Sequence, residues 1–261
     1  MSERVFMKGC EAIAEAAVRA GCRFFAGYPI TPQNEIPEYF ARRMPEVNGT
    51  FVQGESEVAS VNMLYGAAST GIRAMSSSSS CGISLYSEGV SYMASARIPA
   101  VYVNVQRGGP GIGAIQPAQQ DYTQATKASG NGGFRMMVLS PATVQEAVDM
   151  TYAAFDYAQR DRNPVLILAD GVLGTIMEPV VLPEMRSDEE VKRLKDELRD
   201  WALANRLRLH HGFFSTDLSF YVKGGRISRA SGFIGSVLHI CPLLNMDDLG
   251  HLVPREKIRT K

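Results

Sequence analysis

The first 186 of the 261 residues predict an α/β fold, a doubly wound parallel sheet. Short apolar runs of strand character alternate with longer runs of helical periodicity, which is typical of a parallel sheet covered by helices on both faces. The run at residues 100–105 is apolar except for Asn104, and it is apolar enough for a central strand that is buried on both faces. A small α+β fragment is predicted to follow this fold.

The predicted elements follow one another in a regular order. An Ala-rich helix at residues 8–19 ends at Gly21, because glycine commonly terminates helices. A second helix is predicted near 34–43, a third begins with Glu55 and Glu57 in its first turn, and others follow at 83–96 and 144–159. The apolar residues Val58, Val61, Tyr65 and Ala68 recur at helical spacing and are predicted to form the buried face of the third helix. The predicted strands are 22–26, 50–52, 72–75, 100–105, 135–139 and 165–168. The serine run at 76–80 is predicted to be a tight polar loop between a strand and a helix.

The amino-acid composition changes after Arg186. All four histidines and the single tryptophan, Trp201, follow this position, and so do five of the seven lysines. Residues 187–190 form a capping box that opens a charged helix to about residue 204. Strand-like runs follow at 207–214 and around turns at 221–228 and 247–250. We therefore predict two domains, at residues 1–186 and 187–261.

Bulk composition argues against several classes of function. The 27 basic residues balance the 27 acidic residues, which does not favour binding to nucleic acid or to an acidic membrane surface. No apolar run approaches the roughly 18 residues of a membrane span, and residues 1–5 do not resemble a signal peptide. The four cysteines lack metal-ligand spacing, so we predict no metal site in this chain and a reducing, cytoplasmic location.

Several polar residues come directly after predicted strands. Thr31, Glu57, the serine run and Arg107 should therefore gather at the carboxyl edge of the sheet, where ligands bind in such folds. Glu57 could stabilise a helix N-terminus or act as a functional acid. Thr31, fixed between two prolines, could aim its hydroxyl at a ligand or belong to an ordinary turn. Arg107 could bind a carboxylate or form a structural salt bridge.

The first 186 residues resemble the alpha subunit of 2-oxoacid:ferredoxin oxidoreductases, particularly the branched-chain (3-methyl-2-oxobutanoate) type. The motifs that support the resemblance are Gly27-Tyr28-Pro29-Ile30-Thr31-Pro32, Glu55-Ser56-Glu57, Ser76 to Ser80, Gln106-Arg107-Gly108-Gly109-Pro110 and Gln120-Asp121-Tyr122. Two positions depart from the family pattern: Cys81 replaces a proline, and Gly133 stands where aspartate is common.

The resemblance implies a pyrimidine-binding domain for thiamine diphosphate. Glu57 matches the glutamate that hydrogen-bonds the aminopyrimidine ring and activates the cofactor. Thr31 and Arg107 match residues that hold the 2-oxoacid carboxylate. The implied cofactor contacts are Pro29, Ile30, Glu57, Ser79 and Ser80.

The resemblance also implies partner subunits. The Gly-Asp-Gly…Asn signature for Mg²⁺ and diphosphate is absent from the sequence, as are cysteines spaced for an iron–sulfur cluster. A beta (diphosphate-binding) subunit with Mg²⁺, a gamma subunit and a ferredoxin-like subunit with iron–sulfur clusters are therefore implied. Oxidative decarboxylation of a branched-chain 2-oxoacid to an acyl-CoA, with coenzyme A as co-substrate, is implied for that complex. The chain alone should be inactive.

The remainder of the chain resembles a different family, the second domain of DegV-like fatty-acid-binding proteins. The motifs are His211-Gly212-Phe213-Phe214-Ser215-Thr216-Asp217-Leu218, Gly224-Gly225-Arg226-Ile227-Ser228, Gly235-Ser236-Val237-Leu238 and Lys257-Ile258-Arg259. Only a fragment of that family is covered. A fatty-acid-binding module and an inactive chimera, fused near Arg186, are therefore the alternatives to an oxidoreductase subunit.

Overall fold

The computed structural model describes residues 4–127, 130–205, 213–214, 222–223, 240–246 and 252–259. The chain divides into two compact units, Met1–Arg199 and Asp200–Lys261. The predicted domain boundary after Arg186 stays a prediction.

Strands and helices alternate through the first unit as the sequence predicts. The strands are β1 (Arg4–Lys8), β2 (Phe24–Gly27), β3 (Thr50–Gln53), β4 (Ala74–Ser78), β5 (Val101–Gln106), β6 (Met137–Leu139), β7 (Val165–Asp170) and β8 (Met177–Val181). The helices are α1 (Gly9–Arg19), α2 (Glu35–Arg43), α3 (Glu57–Ser69), α4 (Ser80–Ser84), α5 (Ser87–Ala96), α6 (Tyr122–Lys127), α7 (Val144–Asp161), α8 (Gly171–Thr175) and α9 (Asp188–Asn205).

Six strands form one parallel sheet, which confirms the predicted fold class. Their order is β3-β2-β4-β5-β7-β6, and every neighbouring pair is parallel. From β2 the chain moves outward to β3 and then returns to β4 on the other side of β2. The connections therefore diverge between β2 and β4, where a crevice opens at the carboxyl edge of the sheet.

Hydrophobic cores lie on both faces of this sheet. Along β5, Val101, Val103 and Val105 pack with helices α1, α2 and α7, whereas Tyr102 faces the core formed with α3 and α5. Successive side chains of a strand point to opposite faces, so both sets must be apolar when both faces are covered. This explains why β5 lacks the alternation of a half-exposed strand.

An antiparallel ribbon of β1 and β8 was not predicted from the sequence. Phe6 lies opposite Pro179 in its register. Met7 and Val180 pack with Val144 and Val148 of α7 in a small third core. Each strand is only five residues long and lies next to a helix in the sequence. So short an alternation of apolar and polar residues is not recognisable beside a helical pattern.

The predicted polar loop at the serine run is wrong for its first three residues. Ser76, Ser77 and Ser78 continue β4 and are fully buried. The Ser76 hydroxyl donates to the carbonyl of Ala26 at 2.5 Å, and Ser77 donates to the Gln33 side chain. Small hydroxyls can enter a core when such partners satisfy them, and sequence pattern alone does not reveal those partners.

The predicted helix at 83–96 is two helices, α4 and α5, with a break at Tyr86. The Tyr86 ring is fully buried, and its hydroxyl lies 2.6 Å from Ser76 Oγ and 3.2 Å from the carbonyl oxygen of Ser77. Burial raises the pKa of Tyr86 well above its usual range. The hydroxyl therefore stays neutral and serves as a donor to β4.

Helix α9 begins at the predicted capping box. Ser187 Oγ accepts a hydrogen bond from the Glu190 amide at 3.2 Å, which confirms this part of the sequence analysis. Among the described residues, no helix combines the length and the apolar character needed to cross a membrane.

The second unit contains the antiparallel strands β9 (Phe213–Phe214), β10 (Ile240–Met246) and β11 (Leu252–Arg259), in the order β11-β10-β9. The strand-like runs predicted on either side of residues 247–250 are thus confirmed. The turns predicted at 221–228 and 247–250, and most of the strand predicted at 207–214, lie outside the described residues.

One testable consequence concerns Asp156, which joins two arginines. It lies 2.5 Å from Nη2 of Arg73, whose side chain is only 3% exposed, and 2.6 Å from Nη2 of Arg186. Asp156→Ala leaves a buried cation without its charge partner. We expect a loss of about 2 kcal/mol in unfolding free energy, since the half-exposed carboxylate reduces the cost of breaking a fully buried pair.

Urea unfolding monitored by circular dichroism would measure this loss. Asp161→Ala, which removes an exposed partner of Arg160, is the matched control and should leave the midpoint unchanged. Identical midpoints for both variants would contradict a stabilising role for Asp156.

Candidate functional site

The loops that follow β2, β4 and β5 meet at the crevice where the sheet changes direction. Thr31 lies on the first loop, the serines extend from β4 into α4, and Arg107 follows β5 directly. Glu57 begins α3, after β3. The predicted gathering of these residues at one edge is confirmed by the contacts that follow.

Arg107 links three of these segments through its guanidinium group. Nη1 donates to the carbonyl of Thr31 at 3.0 Å, while Nη2 donates to the carbonyl of Ile112 at 3.0 Å and to Cys81 Sγ at 3.1 Å. Nε is buried and has no hydrogen-bond partner within the described ranges of the chain. The residue is 8% exposed, and among the described residues no carboxylate pairs with it.

The salt-bridge alternative for Arg107 therefore finds no partner in the described part of the chain. A buried cation that contacts only neutral acceptors, and that has an unused donor, is suited to an anionic ligand. The guanidinium fork matches the planar geometry of a carboxylate.

Gln33, which the sequence analysis did not identify, links the loop after β2 to strand β4. Gln33 is fully buried, and its Nε2 donates to the carbonyl of Tyr28 at 3.1 Å, while its Oε1 accepts from Ser77. Thr31 and Pro29 are exposed on this loop, and Ile30 is half-buried. Thr31 contacts Arg107 through its backbone carbonyl, and its hydroxyl remains available.

Glu57 lies on the buried face of α3. The side-chain cap of this helix is Ser56, whose Oγ accepts from the Ala59 amide at 3.2 Å, so Glu57 is not needed for that role. Glu57 is 9% exposed, and its carboxylate has no hydrogen-bond or ion-pair partner among the described residues. A buried carboxylate without a partner costs free energy, which favours a functional role.

The apolar face predicted for α3 needs one correction. Val58 was placed on the buried face but is 44% exposed, whereas Val61, Leu64 and Ala68 are buried. The buried stripe begins at Glu57, four residues before Val61, because residues on one side of a helix recur every three or four positions. The carboxylate is therefore itself part of the face that packs against the sheet.

Gly82 allows the side chains of Glu57 and Ser78 to lie directly against α4. A Cβ atom on Gly82 would lie 2.8 Å from Glu57 Oε1 and would also collide with Ser78 Oγ. Only a residue without a side chain leaves this space open. Gly82 follows Cys81, so consecutive residues of α4 adjoin the Glu57 carboxylate and the Arg107 guanidinium.

The serines at the end of β4 differ in what their hydroxyls bind. Ser78 Oγ and Ser79 Oγ are buried and have no hydrogen-bond partner among the residues that the structure describes. Ser80 Oγ is fully engaged, since it accepts from the Arg107 amide at 2.9 Å and donates to Asp121 Oδ2 at 2.6 Å. Ser79, and Ser78 which the sequence analysis did not single out, therefore have free hydrogen-bonding capacity for a ligand.

Within the described residues, no group of three or more His, Cys, Asp or Glu side chains is arranged to hold a metal ion. The site instead combines a buried carboxylate, a buried guanidinium and two buried hydroxyls, none of which finds a charge or hydrogen-bond partner for its free atoms in the described part of the chain. Such a set fits a polar organic ligand and a small carboxylic acid.

Comparison with known proteins gives two family matches. Residues 15–217 match the family described as pyruvate flavodoxin/ferredoxin oxidoreductase, thiamine diphosphate-binding. Residues 189–261 match the DegV family of uncharacterised proteins, in agreement with the resemblance seen in the tail. The two matches overlap at 189–217.

Curated relatives resemble the first part of the chain. Ketoisovalerate oxidoreductase subunit VorB of Methanothermobacter thermautotrophicus is 51% identical over 178 residues, which are 68% of this chain and 51% of that protein. The 2-oxoglutarate synthase subunit KorA of Methanocaldococcus jannaschii is 40% identical over 192 residues, 74% of this chain and 52% of that protein. The chain thus spans about half the length of the curated relatives it matches.

A solved structure supports the same relationship. The 2-oxoglutarate:ferredoxin oxidoreductase from Magnetococcus marinus, with 2-oxoglutarate, coenzyme A and succinyl-CoA bound, aligns with a TM-score of 0.68 and 32% identity. The alignment covers 70% of this chain and 32% of that one. Because the family match extends over most of the chain, the protein belongs to the thiamine diphosphate-binding family of pyruvate flavodoxin/ferredoxin oxidoreductases.

Proposed function

We propose that this chain supplies the pyrimidine-binding half of a thiamine diphosphate site in a multi-subunit 2-oxoacid:ferredoxin oxidoreductase. The observation that best supports this is the buried Glu57 carboxylate at the crevice of the sheet, which has no partner in the part of the chain that the structure describes. The complex would convert a 2-oxoacid and coenzyme A to an acyl-CoA and CO₂, passing electrons to ferredoxin. Thiamine diphosphate, when bound, supplies the electron sink that such a decarboxylation requires.

The residues around Glu57 fit the polar edge of an aminopyrimidine ring. The Glu57 carboxylate would accept a hydrogen bond from a protonated ring nitrogen and so hold that proton in place. The orphaned hydroxyls of Ser78 and Ser79 can donate to or accept from neighbouring ring atoms. Gly82 keeps the space beside the carboxylate clear. Pro29 and Ile30, on the loop after β2, are the proposed apolar contacts.

Ser80 is a weaker candidate for cofactor binding through its side chain. Its hydroxyl is already engaged with Asp121 and with the Arg107 amide. We therefore propose that Ser80 shapes the cofactor site through its backbone position.

Arg107 and Thr31 are proposed to hold the carboxylate of the 2-oxoacid. Arg107 is fixed by three neutral acceptors, so the guanidinium is oriented before a ligand arrives. The exposed Thr31 hydroxyl lies on the loop whose carbonyl holds that guanidinium. Because the guanidinium is already oriented, little side-chain entropy is lost when a carboxylate binds to it in this buried site.

The loop beside Arg107 favours an oxoacid with an apolar side chain. Ile112, whose carbonyl accepts from Arg107, is 82% exposed, and Ile115 is 61% exposed. Residues 108–121 contain no lysine or arginine that could pair with a second carboxylate. We therefore propose a branched-chain 2-oxoacid as substrate in preference to a dicarboxylate.

Further subunits would complete the site. A beta subunit is proposed to bind the diphosphate and Mg²⁺, and gamma and ferredoxin-like subunits are proposed to provide the remaining contacts and the iron–sulfur clusters. We place this complex in the cytoplasm. No fatty-acid-binding site is proposed for the DegV-like tail, because most of its motif residues lie outside the described part of the chain.

The first prediction tests Glu57. In the reconstituted complex, Glu57→Gln keeps the shape of the side chain but removes the charge that would hold the proton. Turnover should fall about 10²- to 10³-fold, the range typical of losing a positioned acid–base group, while assembly is unchanged. Steady-state turnover and size-exclusion chromatography measure the two properties.

Glu55→Gln is the matched control for Glu57, because Glu55 is exposed two residues earlier and undergoes the same change in charge. It should retain full turnover. Normal turnover in Glu57→Gln would end the assignment of Glu57 to the cofactor.

A second prediction concerns the guanidinium fork. Arg107→Lys retains a positive charge but cannot contact several acceptors in one plane. The KM for the oxoacid should rise about 10- to 100-fold with a smaller change in kcat, since one or two charged hydrogen bonds are lost. Arg135→Lys, at an exposed site, should leave KM unaltered. An unchanged KM in Arg107→Lys would return Arg107 to a structural role.

A third prediction uses the glycine beside Glu57. Gly82→Ala places a methyl group against Glu57 and Ser78, so the affinity of the complex for thiamine diphosphate should fall about tenfold or more. The cofactor dependence of activity gives this affinity.

Gly66→Ala is the control for Gly82, since nothing lies within 4 Å of a Cβ at that helical position. It should leave cofactor affinity unchanged and raise stability by about 0.5–1 kcal/mol. Equal cofactor affinity in both variants would remove the steric argument for Gly82.

A further inference from the structure

Asp121, in a sequence motif that the proposed reaction does not use, forms the centre of a partly buried polar network. Its Oδ2 accepts hydrogen bonds from Ser80 Oγ at 2.6 Å and from Asn104 Nδ2 at 2.8 Å. Its amide donates to Gln106 Oε1 at 3.1 Å. The carboxylate thus connects the start of α4, the end of β5 and the start of α6.

Ser80 is held in an unfavourable backbone conformation by this network. Its φ angle is +23°, which residues with a side chain rarely adopt. Its amide donates to Asn104 Oδ1 at 2.9 Å, so Asn104 binds Ser80 and Asp121 at once. The Ser80 hydroxyl has one proton and two acceptors within reach, Asp121 Oδ2 at 2.6 Å and the Arg107 carbonyl at 3.0 Å. The shorter distance and the charge of the carboxylate assign that proton to Asp121.

This assignment determines how Ser80 acts on Arg107. With its proton donated to Asp121, the Ser80 oxygen presents a lone pair to the Arg107 amide at 2.9 Å. The next residue, Cys81, accepts from Arg107 Nη2 at 3.1 Å. The conformation of Ser80 therefore sets both the backbone and the side chain of Arg107.

We propose that Asp121 is a positioning residue for Arg107 and acts through Ser80. Without the carboxylate, Ser80 retains only the neutral Arg107 carbonyl as an acceptor. Ser80 then relaxes from its strained φ angle, and Cys81 moves away from the guanidinium. Arg107 then samples orientations in which it is more accessible and less well aligned. The importance of this for catalysis rests on the proposed function, whereas the effect on Arg107 itself does not.

Chemical modification of Arg107 tests the proposal directly on the full-length chain. Phenylglyoxal reacts with accessible guanidinium groups, and mass spectrometry locates the modified arginines. In the native protein Arg107 should react slowly compared with the exposed Arg160. In Asp121→Ala its rate should rise about tenfold relative to Arg160, in keeping with the loss of a charged hydrogen bond.

Asp121→Asn provides a second variant in case the alanine variant does not fold. The single amide oxygen of asparagine can replace only one of the two carboxylate oxygens. A smaller increase in the rate of Arg107 modification, about threefold, is therefore expected. Thr126→Ala is the control on α6, since this exposed hydroxyl bonds only within its own helix, and it should react like the native protein. The proposal would be overturned if phenylglyoxal modified Arg107 at the native rate in every Asp121 variant that folds.

Kinetics of the reconstituted complex separate this proposal from the proposed function. In the Asp121 variants, the KM for the oxoacid should rise with kcat nearly unchanged, a split that general destabilisation would not produce. Faster labelling together with a raised KM supports both proposals. Faster labelling with an unchanged KM supports the positioning role and contradicts carboxylate binding by Arg107.

Discussion

A buried carboxylate and a buried guanidinium, neither paired with the other or with another charge among the described residues, determine the character of this site. Moving a charged group out of water costs free energy, so a folded chain usually pairs a buried charge with a group of opposite charge. Glu57 and Arg107 instead lie in a crevice with free hydrogen-bonding capacity around them. The rest of the local structure keeps them apart and oriented, at a cost that bound ligands would offset.

The turn from β4 into α4 provides this orientation. Four consecutive residues, 79–82, contribute a free hydroxyl, a strained serine, a sulfur acceptor and an open glycine. Ser80 and Cys81 both bind Arg107, Gly82 adjoins Glu57, and Asp121 binds Ser80 at the start of α4. Strain at such a turn persists only when surrounding hydrogen bonds over-determine it, which is the situation around Ser80.

The chain matches two different families, one over its first part and one over its last part. The first match covers the sheet and its crevice, whereas the DegV match begins near the start of α9 and extends to the end of the sequence. The change in composition after Arg186 agrees with this division. The residues of the proposed oxidoreductase site all belong to the first unit.

The sequence by itself determined the α/β class, the alternation of elements and the position of Thr31, Glu57 and Arg107 after strands, because hydrophobic period and turn residues are local properties. It missed the β1–β8 ribbon, the burial of Ser76 to Ser78 and the break at Tyr86, since each depends on partners distant along the chain. It also left open whether Glu57 caps a helix and whether Arg107 forms a salt bridge. Only the tertiary structure decided these questions, because capping, pairing and burial depend on which groups meet in space.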